Sequence, residues 1–279
     1  MNLSLLQNFK ANNFFLDPFP HIIIENALPE KLYKELADTY PINKFNHDHG
    51  NQNSVDLGLT SEQVKKDIEI NELWKKFVSF HKSKEFCHQV FDIFSKNILD
   101  SNPDFFKSKS ELYSLKIGSK DTDSADIFPE FTIYCNTEVT KRSARLGIHT
   151  DTPNKFTTGL LYMKDNYDNA GGDLLLHNWR VNLPFFLKKI ILAKRKNFLN
   201  NIIKKIQFLF IGNKKKLKYS SNTFVMYLDS INGLHSVSPR EVTKNIRKYC
   251  FFRVTYKRRL YDSYSIIDKA FHLKNFKFP

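Results

Sequence analysis

Hydrophobic positions recur with two different periods along the 279 residues, and the change falls near residue 110. Before it the spacing is helical. Ala27 to Tyr40 sets Leu and Tyr three and four apart behind a proline near the helix start. Thr60 to Lys82 opens on Thr-Ser-Glu-Gln, a capping signature, and carries Val64, Ile68, Ile70, Leu73, Trp74, Phe77 and Val78. Lys84 to Leu99 keeps the same period. Pro18 to Glu25 reads as a buried strand and the polar stretch Asn43 to Ser54 as a surface loop. After residue 110 short β-rich runs follow: Leu112–Ile117, Phe131–Val139, Leu146–Thr150, Thr157–Met163, Gly172–His177, Thr223–Leu228 and Tyr249–Tyr256. Short strands with turn residues between them predict a β-sandwich or jelly roll, and helices before strands predict an α+β fold with the helices packed on one face.

Charge adds one feature to this picture. The net charge is +14, yet between Asp173 and Asp229 there is no acidic residue and there are twelve Lys or Arg. The basicity belongs to one segment, and the rest of the chain is near balance. That segment, about residues 180–220, interrupts the strand series and reads as an insertion. Its apolar clusters at Phe185–Leu187, Ile190–Leu192, Phe198–Leu199, Ile202–Ile203 and Phe208–Ile211 are spaced for one or two basic amphipathic helices. Such an insertion is either a helical lid over the site mouth or an element that lies on an anionic membrane surface or binds another anionic partner.

No run of eighteen apolar residues is present, so no membrane-spanning helix is expected, and the N-terminus lacks a basic region followed by an apolar stretch. Cys87, Cys135 and Cys250 lie far apart in no metal or redox spacing. A cytoplasmic setting is the expectation, with peripheral membrane attachment through the insertion as its variant.

The candidate chemistry starts at His149-Thr-Asp151, at the end of an expected strand, where a period of two points both side chains to one face. A lone His-x-Asp is weak, but among the nine histidines only His149 has an acid two residues on. Asn232-Gly-Leu-His235-Ser-Val-Ser-Pro239 follows a strand and a turn downstream. Two histidines and one carboxylate make the facial triad of non-haem iron(II) oxygenases. Three protein ligands leave three positions, two for a chelating co-substrate and one for dioxygen. A carboxylate in the triad suits hydroxylation and argues against halogenation. Arg247, twelve residues after His235, sits on a mostly apolar strand and offers the fork that a buried carboxylate of 2-oxoglutarate requires. Arg253, six residues on, faces the same way by strand alternation. The plainer reading of both is an edge strand with two solvated arginines.

These residues resemble the prolyl 4-hydroxylase-like branch of the 2-oxoglutarate/iron(II) oxygenases. The likeness spans about residues 130–256, with Pro18–Tyr40 similar to the family's lead-in. His149-Thr-Asp151, Thr158-Gly-Leu-Leu-Tyr162-Met, Gly171-Gly172-Asp-Leu, His235-Ser-Val-x-Pro and Arg247 fall in the family's order. The departure is the gap of 84 positions between Asp151 and His235, largely the basic insertion. The resemblance implies one oxygenase domain over 1–279, with a double-stranded β-helix core. Residues 1–110 would be its helical support, 111–256 the core with the 180–220 insertion, and 257–279 a C-terminal extension. It implies Fe(II), 2-oxoglutarate and dioxygen, with ascorbate as a further cofactor. It implies that Tyr162 joins Arg247 at the distal carboxylate of the co-substrate and that Tyr134 lines the pocket.

The implied reaction is hydroxylation of an unidentified small metabolite, peptide side chain, or glycan or lipid precursor, with succinate and carbon dioxide released. The Arg247-x5-Arg253 spacing also resembles the nucleic-acid dealkylase branch, against which stand the Gly171-Gly172 turn and the want of a base-clamping lid. A non-catalytic jelly-roll binding module is the third reading. His47-Asp48-His49 in a polar loop, and His81, His88 and His177, read as solvated or core residues rather than ligands. Phe185-Phe-Leu and Ile190-Ile-Leu read as packing.

Overall fold

A computed structural model describes residues 1–45, 53–119, 124–144, 147–192 and 206–261. His47-Asp48-His49 and much of the basic segment, residues 193–205, lie outside the described residues. The N-terminal part supplies β1 (Phe14–Phe15), β2 (His21–Ile24), α1 (Glu30–Asp38), β3 (Asp56–Thr60), α2 (Ser61–Lys66), α3 (Glu72–His81), α4 (Lys84–Ser101) and α5 (Lys109–Ser114). Then come β4 (Ile127–Asn136), β5 (Lys155–Tyr162), β6 (Leu174–Trp179), α6 (Phe185–Leu192), β7 (Ile211–Leu217), β8 (Thr223–Leu228), β9 (His235–Val237) and β10 (Arg247–Tyr256).

Two antiparallel sheets result, one ordered β1-β2-β8-β5-β10-β4-β3 and one ordered β7-β6-β9. His149 bridges His235 and so extends the smaller sheet beside β9. From β4 onward the chain passes repeatedly from one sheet to the other, which is the strand order of a jelly roll. Alternation divides β10 between two cores. Cys250, Phe252 and Val254 join the cluster under the helices, with Trp74, Phe77, Phe86, Phe91 and Phe94. Tyr249 and Phe251 face the space between the sheets, with Leu160, Tyr162, Leu174, Leu176, Val225 and Tyr227.

Four expectations need correction. The helix expected over Thr60–Lys82 is two helices, because Asn71 restarts the chain: its side chain accepts the N–H of Leu73 at 2.8 Å and caps α3. Leu112–Ile117 is not a strand. Ser108-Lys-Ser-Glu111 is itself a capping signature, Ser108 caps α5, and Leu112 is the one buried residue of that helix. Leu146–Thr150 forms, among the described residues, a single bridge at His149 rather than a strand. The basic segment over 180–220 is not wholly helical. Residues 185–192 are helix, but Ile211–Leu217 is a strand at the edge of the smaller sheet, with Leu217 in the inter-sheet core and Lys214, Lys215 and Lys216 in succession before it. Consecutive lysines on an edge strand oppose pairing with another chain and hide the strand's alternation from a sequence reading.

Candidate active site

His149 and His235 are set by backbone before any side-chain contact. Each donates its N–H to the other's carbonyl, at 3.0 and 2.9 Å. The two rings, on one face, have centroids 4.3 Å apart. Each ring donates Nδ1–H to the carbonyl two residues earlier, Gly147 at 2.8 Å and Gly233 at 3.0 Å. That bond fixes the tautomer, so each Nε2 carries a lone pair rather than a hydrogen, the form that binds a metal. Asp151 lies alongside, and one ligand atom from each of the three residues falls within 4.8 Å of the others. Burial and the neighbouring His149 hold His235 down to about 3, with Asp151 opposing, so its ring is neutral at physiological pH.

The Asp151 carboxylate is bonded through one oxygen. Oδ2 takes the Thr158 hydroxyl at 2.9 Å, the Lys155 ammonium at 3.2 Å and, less closely, the Tyr227 hydroxyl at 3.4 Å. Tyr227 lies nearer to His235 Nε2, at 3.0 Å, and donates there. Burial would raise the Asp151 carboxyl, but Lys155, the two histidines and Thr158 outweigh it and hold the group below the usual carboxylate range. Thr158 also touches Asp229 Oδ2 at 2.8 Å, and one hydroxyl proton cannot serve two carboxylates. Burial and the Asp151 charge push Asp229 well above the usual range. Both effects favour the protonated form of Asp229, which would donate to Thr158 or Asp151 and leave the Thr158 hydroxyl proton for Asp151.

Four residues beyond Thr158 on the same face of β5, about 13 Å along the strand, the chemistry is different. Arg247 is buried among Tyr162, Tyr219 and Tyr249, whose ring centroids lie 5.5, 4.7 and 4.8 Å from its guanidinium carbon. Its Nη1 donates to Asn136 Oδ1 at 3.2 Å and its Nη2 to the Gly172 carbonyl at 2.9 Å. Asn136 in turn bonds Asp56 of β3. Among the described residues, Arg247 Nε and the Tyr162 hydroxyl are buried with no partner. Burial pushes the Tyr162 phenol up to about 12, the Arg247 charge pulling the other way. Gly171 and Gly172 have φ of +90° and +86°, which favours glycine, and a Cβ on Gly172 would meet Arg247 Nε at 3.0 Å. The tight turn and the arginine are thus fitted to each other.

Tyr134 stands one ring further out, stacked on Tyr249 at 5.4 Å. Arg253 does not share the Arg247 pocket: it pairs with Thr158 in register, about 20 Å along β10, and its guanidinium is engaged by Glu130. His177 bonds Ser236 at 2.8 Å on the strand beside His235 and His81 is a core residue, so neither joins the cluster. Sequence reasoning missed Lys155, Tyr227, Asp229 and Asn136. The available signal was position: Asn136 ends β4 and Asp229 directly follows β8, strands of otherwise mostly apolar or alternating residues, where a buried polar group needs a partner.

No protein-family model and no curated protein matches the sequence. Among solved structures, the chain is similar to a prolyl-4-hydroxylase of Pseudomonas putida, with 10% identity over 87% of this chain and 95% of that one and a TM-score of 0.45. It is similar to HygX from Streptomyces hygroscopicus with nickel and 2-oxoglutarate bound, with 9% identity, 85% and 83% covered and a TM-score of 0.42. It is also similar to an oxidoreductase of the 2OG-Fe(II) oxygenase family from Burkholderia pseudomallei, with 9% identity, 84% and 84% covered and a TM-score of 0.43.

Proposed function

We propose that this chain is an Fe(II)- and 2-oxoglutarate-dependent oxygenase that hydroxylates an as yet unidentified substrate. One observation carries the reading: a two-histidine, one-carboxylate cluster and a buried arginine–tyrosine pair with unused donors share one face of the same strand neighbourhood. The donor set fits the metal, because neutral imidazole and carboxylate suit iron(II) and three ligands leave positions open. The orphaned Arg247 Nε and Tyr162 hydroxyl fit a carboxylate, because a buried donor without a partner is costly and an anion would satisfy both. When bound, the iron activates dioxygen while 2-oxoglutarate is converted to succinate and carbon dioxide. The chain's own work is positional. Gly147 and Gly233 hold the imidazole tautomers, Arg247 neutralises the distal carboxylate, Tyr162 donates to it, and Tyr219, Tyr249 and Leu160 exclude water around it.

Arg253, on which a dealkylase reading depends, is taken up by Glu130. The unused donors at Arg247 together with the His-Asp-His cluster favour an enzyme over a passive binding module, since anion binding alone has no need of the cluster. The test is incubation with Fe(II), ascorbate and 2-oxoglutarate, with and without a metabolite extract. Succinate formation that extract stimulates, with a product heavier by one oxygen, is expected. No succinate under any condition would overturn the reading.

We read the described part of the insertion as a brace or lid. Ile191, Leu192 and Ile211 pack with Leu234, and Ile148 and Phe185 pack against that group; Ile148 and Leu234 immediately precede the two ligand histidines. Phe186, Ile190, Phe208 and Leu209 are exposed beside the cations, which is what a membrane-lying element would present. Sedimentation with anionic vesicles at low salt separates the two: no binding is expected, and salt-sensitive binding lost on deleting 184–216 would assign the segment to the membrane.

A further inference from the structure

The three contacts on Asp151 all go to Oδ2, and Oδ1 receives none among the described residues. A free carboxylate can bind a metal through both oxygens and so take two coordination positions. With two histidines, that would leave two positions where a chelating co-substrate and dioxygen need three. We propose that Thr158 and Lys155 are positioning residues that occupy Oδ2, so that Asp151 offers the metal Oδ1 alone. The inference rests on the metal reading above and concerns how many oxygens the carboxylate gives.

The clamp is built into the fold. Thr158 lies on β5 between β8 and β10, opposite Tyr227 and Arg253 in register, so its hydroxyl has little freedom. It is fully buried, and Asp229 at 2.8 Å orients it from a second side. Lys155 lies four residues after Asp151, its side chain nearly as buried as the threonine's, with its ammonium 5.3 Å over the Phe251 ring. A metal taking His235 Nε2 would displace the Tyr227 hydroxyl from that nitrogen, leaving its proton for Asp151 Oδ2, 3.4 Å away. The loosest of the three contacts on Oδ2 would then strengthen, which tightens the clamp as the site fills.

The test uses the full chain and Co(II) alone, read by visible absorption, which reports both affinity and coordination number. Removing a side chain that orients a ligand costs roughly 10–100-fold in metal affinity. Thr158→Val is expected to lose that much and to change the absorption, and Thr158→Ser to stay within about threefold of the parent, since it keeps the hydroxyl. Adding Lys155→Met to Thr158→Val should change the spectrum further; the same spectrum would remove Lys155 from the clamp. Near-ultraviolet circular dichroism on the metal-free variants identifies any that misfold, and Thr158→Ser then carries the comparison with Thr158→Ala. If Asp151→Ala abolishes Co(II) binding while Thr158→Val binds like the parent, the clamp is wrong and the metal site stands. If Asp151→Ala binds like the parent, the metal reading fails and the clamp falls with it.

Discussion

The two ends of the β5 face treat their polar groups in opposite ways. At the metal end the groups around the cluster are mostly bonded within the chain, Asp151 Oδ1 and the Thr150 hydroxyl excepted: histidine to carbonyl, Tyr227 to histidine, Asp229 to Thr158, Thr158 and Lys155 to aspartate. At the arginine end two donors are buried without partners. The contrast separates two kinds of preorganisation. A metal ligand must keep one lone pair free while the rest of the residue is tied down, so a finished network with aligned Nε2 and Oδ1 is its signature. An anion pocket must keep hydrogens free, so unmet donors are its signature.

The largest effect that could break this comparison lies at the metal end. His149→Ala, Asp151→Ala or His235→Ala should each abolish succinate formation and Co(II) binding, because two ligands no longer define the geometry. Turnover at the parent's rate in any one of them would remove that residue from the site.

At the other end Arg247→Lys should weaken 2-oxoglutarate by roughly 30-fold or more, about 2 kcal/mol, because an ammonium cannot reproduce the fork that already spans Asn136 and Gly172. Metal affinity in the same variant should hardly move. An unchanged KM for 2-oxoglutarate would break the division of labour between the ends.

Acid should lower the stability of the fold, partly through the metal end. Burial holds His235 and His81 down to about 3 and His177 down to about 4, whereas the unfolded residues take up a proton near 6.5. Between those values the unfolded chain binds more protons. Stability present above pH 6.5 is therefore lost as the pH falls. Asp229, raised by burial and by Asp151, works in the opposite direction, since its folded form keeps a proton that the unfolded form lacks above 3.8. His21, also lowered by burial, works with these three against Asp229, which leaves a net slope of roughly 2 kcal/mol per pH unit or more between pH 6 and 5. Tyr162, at about 12, titrates far outside that window. Urea unfolding at pH 7, 6 and 5 measures the slope, and a flat profile would mean that these histidines are not held neutral by the fold.

Much of the fold was legible because periodicity survives wherever a face is buried: β8 matches its expected bounds, and β4, β5, β6 and β10 shift by a few residues. The failures have local causes. Ser108 and Asn71 redirect the chain by capping, which a count of apolar spacing does not see. In β7 the edge lysines mask two-residue alternation. The site residues named from sequence were those whose chemistry is rare in type, His, Asp and Arg in a fixed order. Lys155 and Thr158's role were illegible because the loop from Asp151 into β5 has no period that shows which side chains turn back on the carboxylate, and Asp229's partner was illegible because Thr158 lies 71 residues away on another strand.

The smallest effect separates the two ends most sharply, because function and stability should move in opposite directions. Tyr162→Phe removes one hydroxyl from a buried place where it has no partner. In the co-substrate complex that hydroxyl would donate to a carboxylate, so its loss should raise the KM for 2-oxoglutarate by about fivefold, near 1 kcal/mol. In the free protein the hydroxyl costs desolvation and returns no bond, while the ring keeps its edge contact with Tyr219 at 5.2 Å and 80°. The phenylalanine variant without ligand should therefore be more stable by about 1 kcal/mol, a rise of roughly 2–4 °C in Tm. A hydroxyl bonded inside the chain, as at the metal end, would give the reverse: Tyr227→Phe leaves His235 Nε2 without its donor and should lower Tm. Thermal unfolding of both variants without ligand measures the two signs, and a Tm loss in Tyr162→Phe as large as in Tyr227→Phe would show that both ends are wired alike.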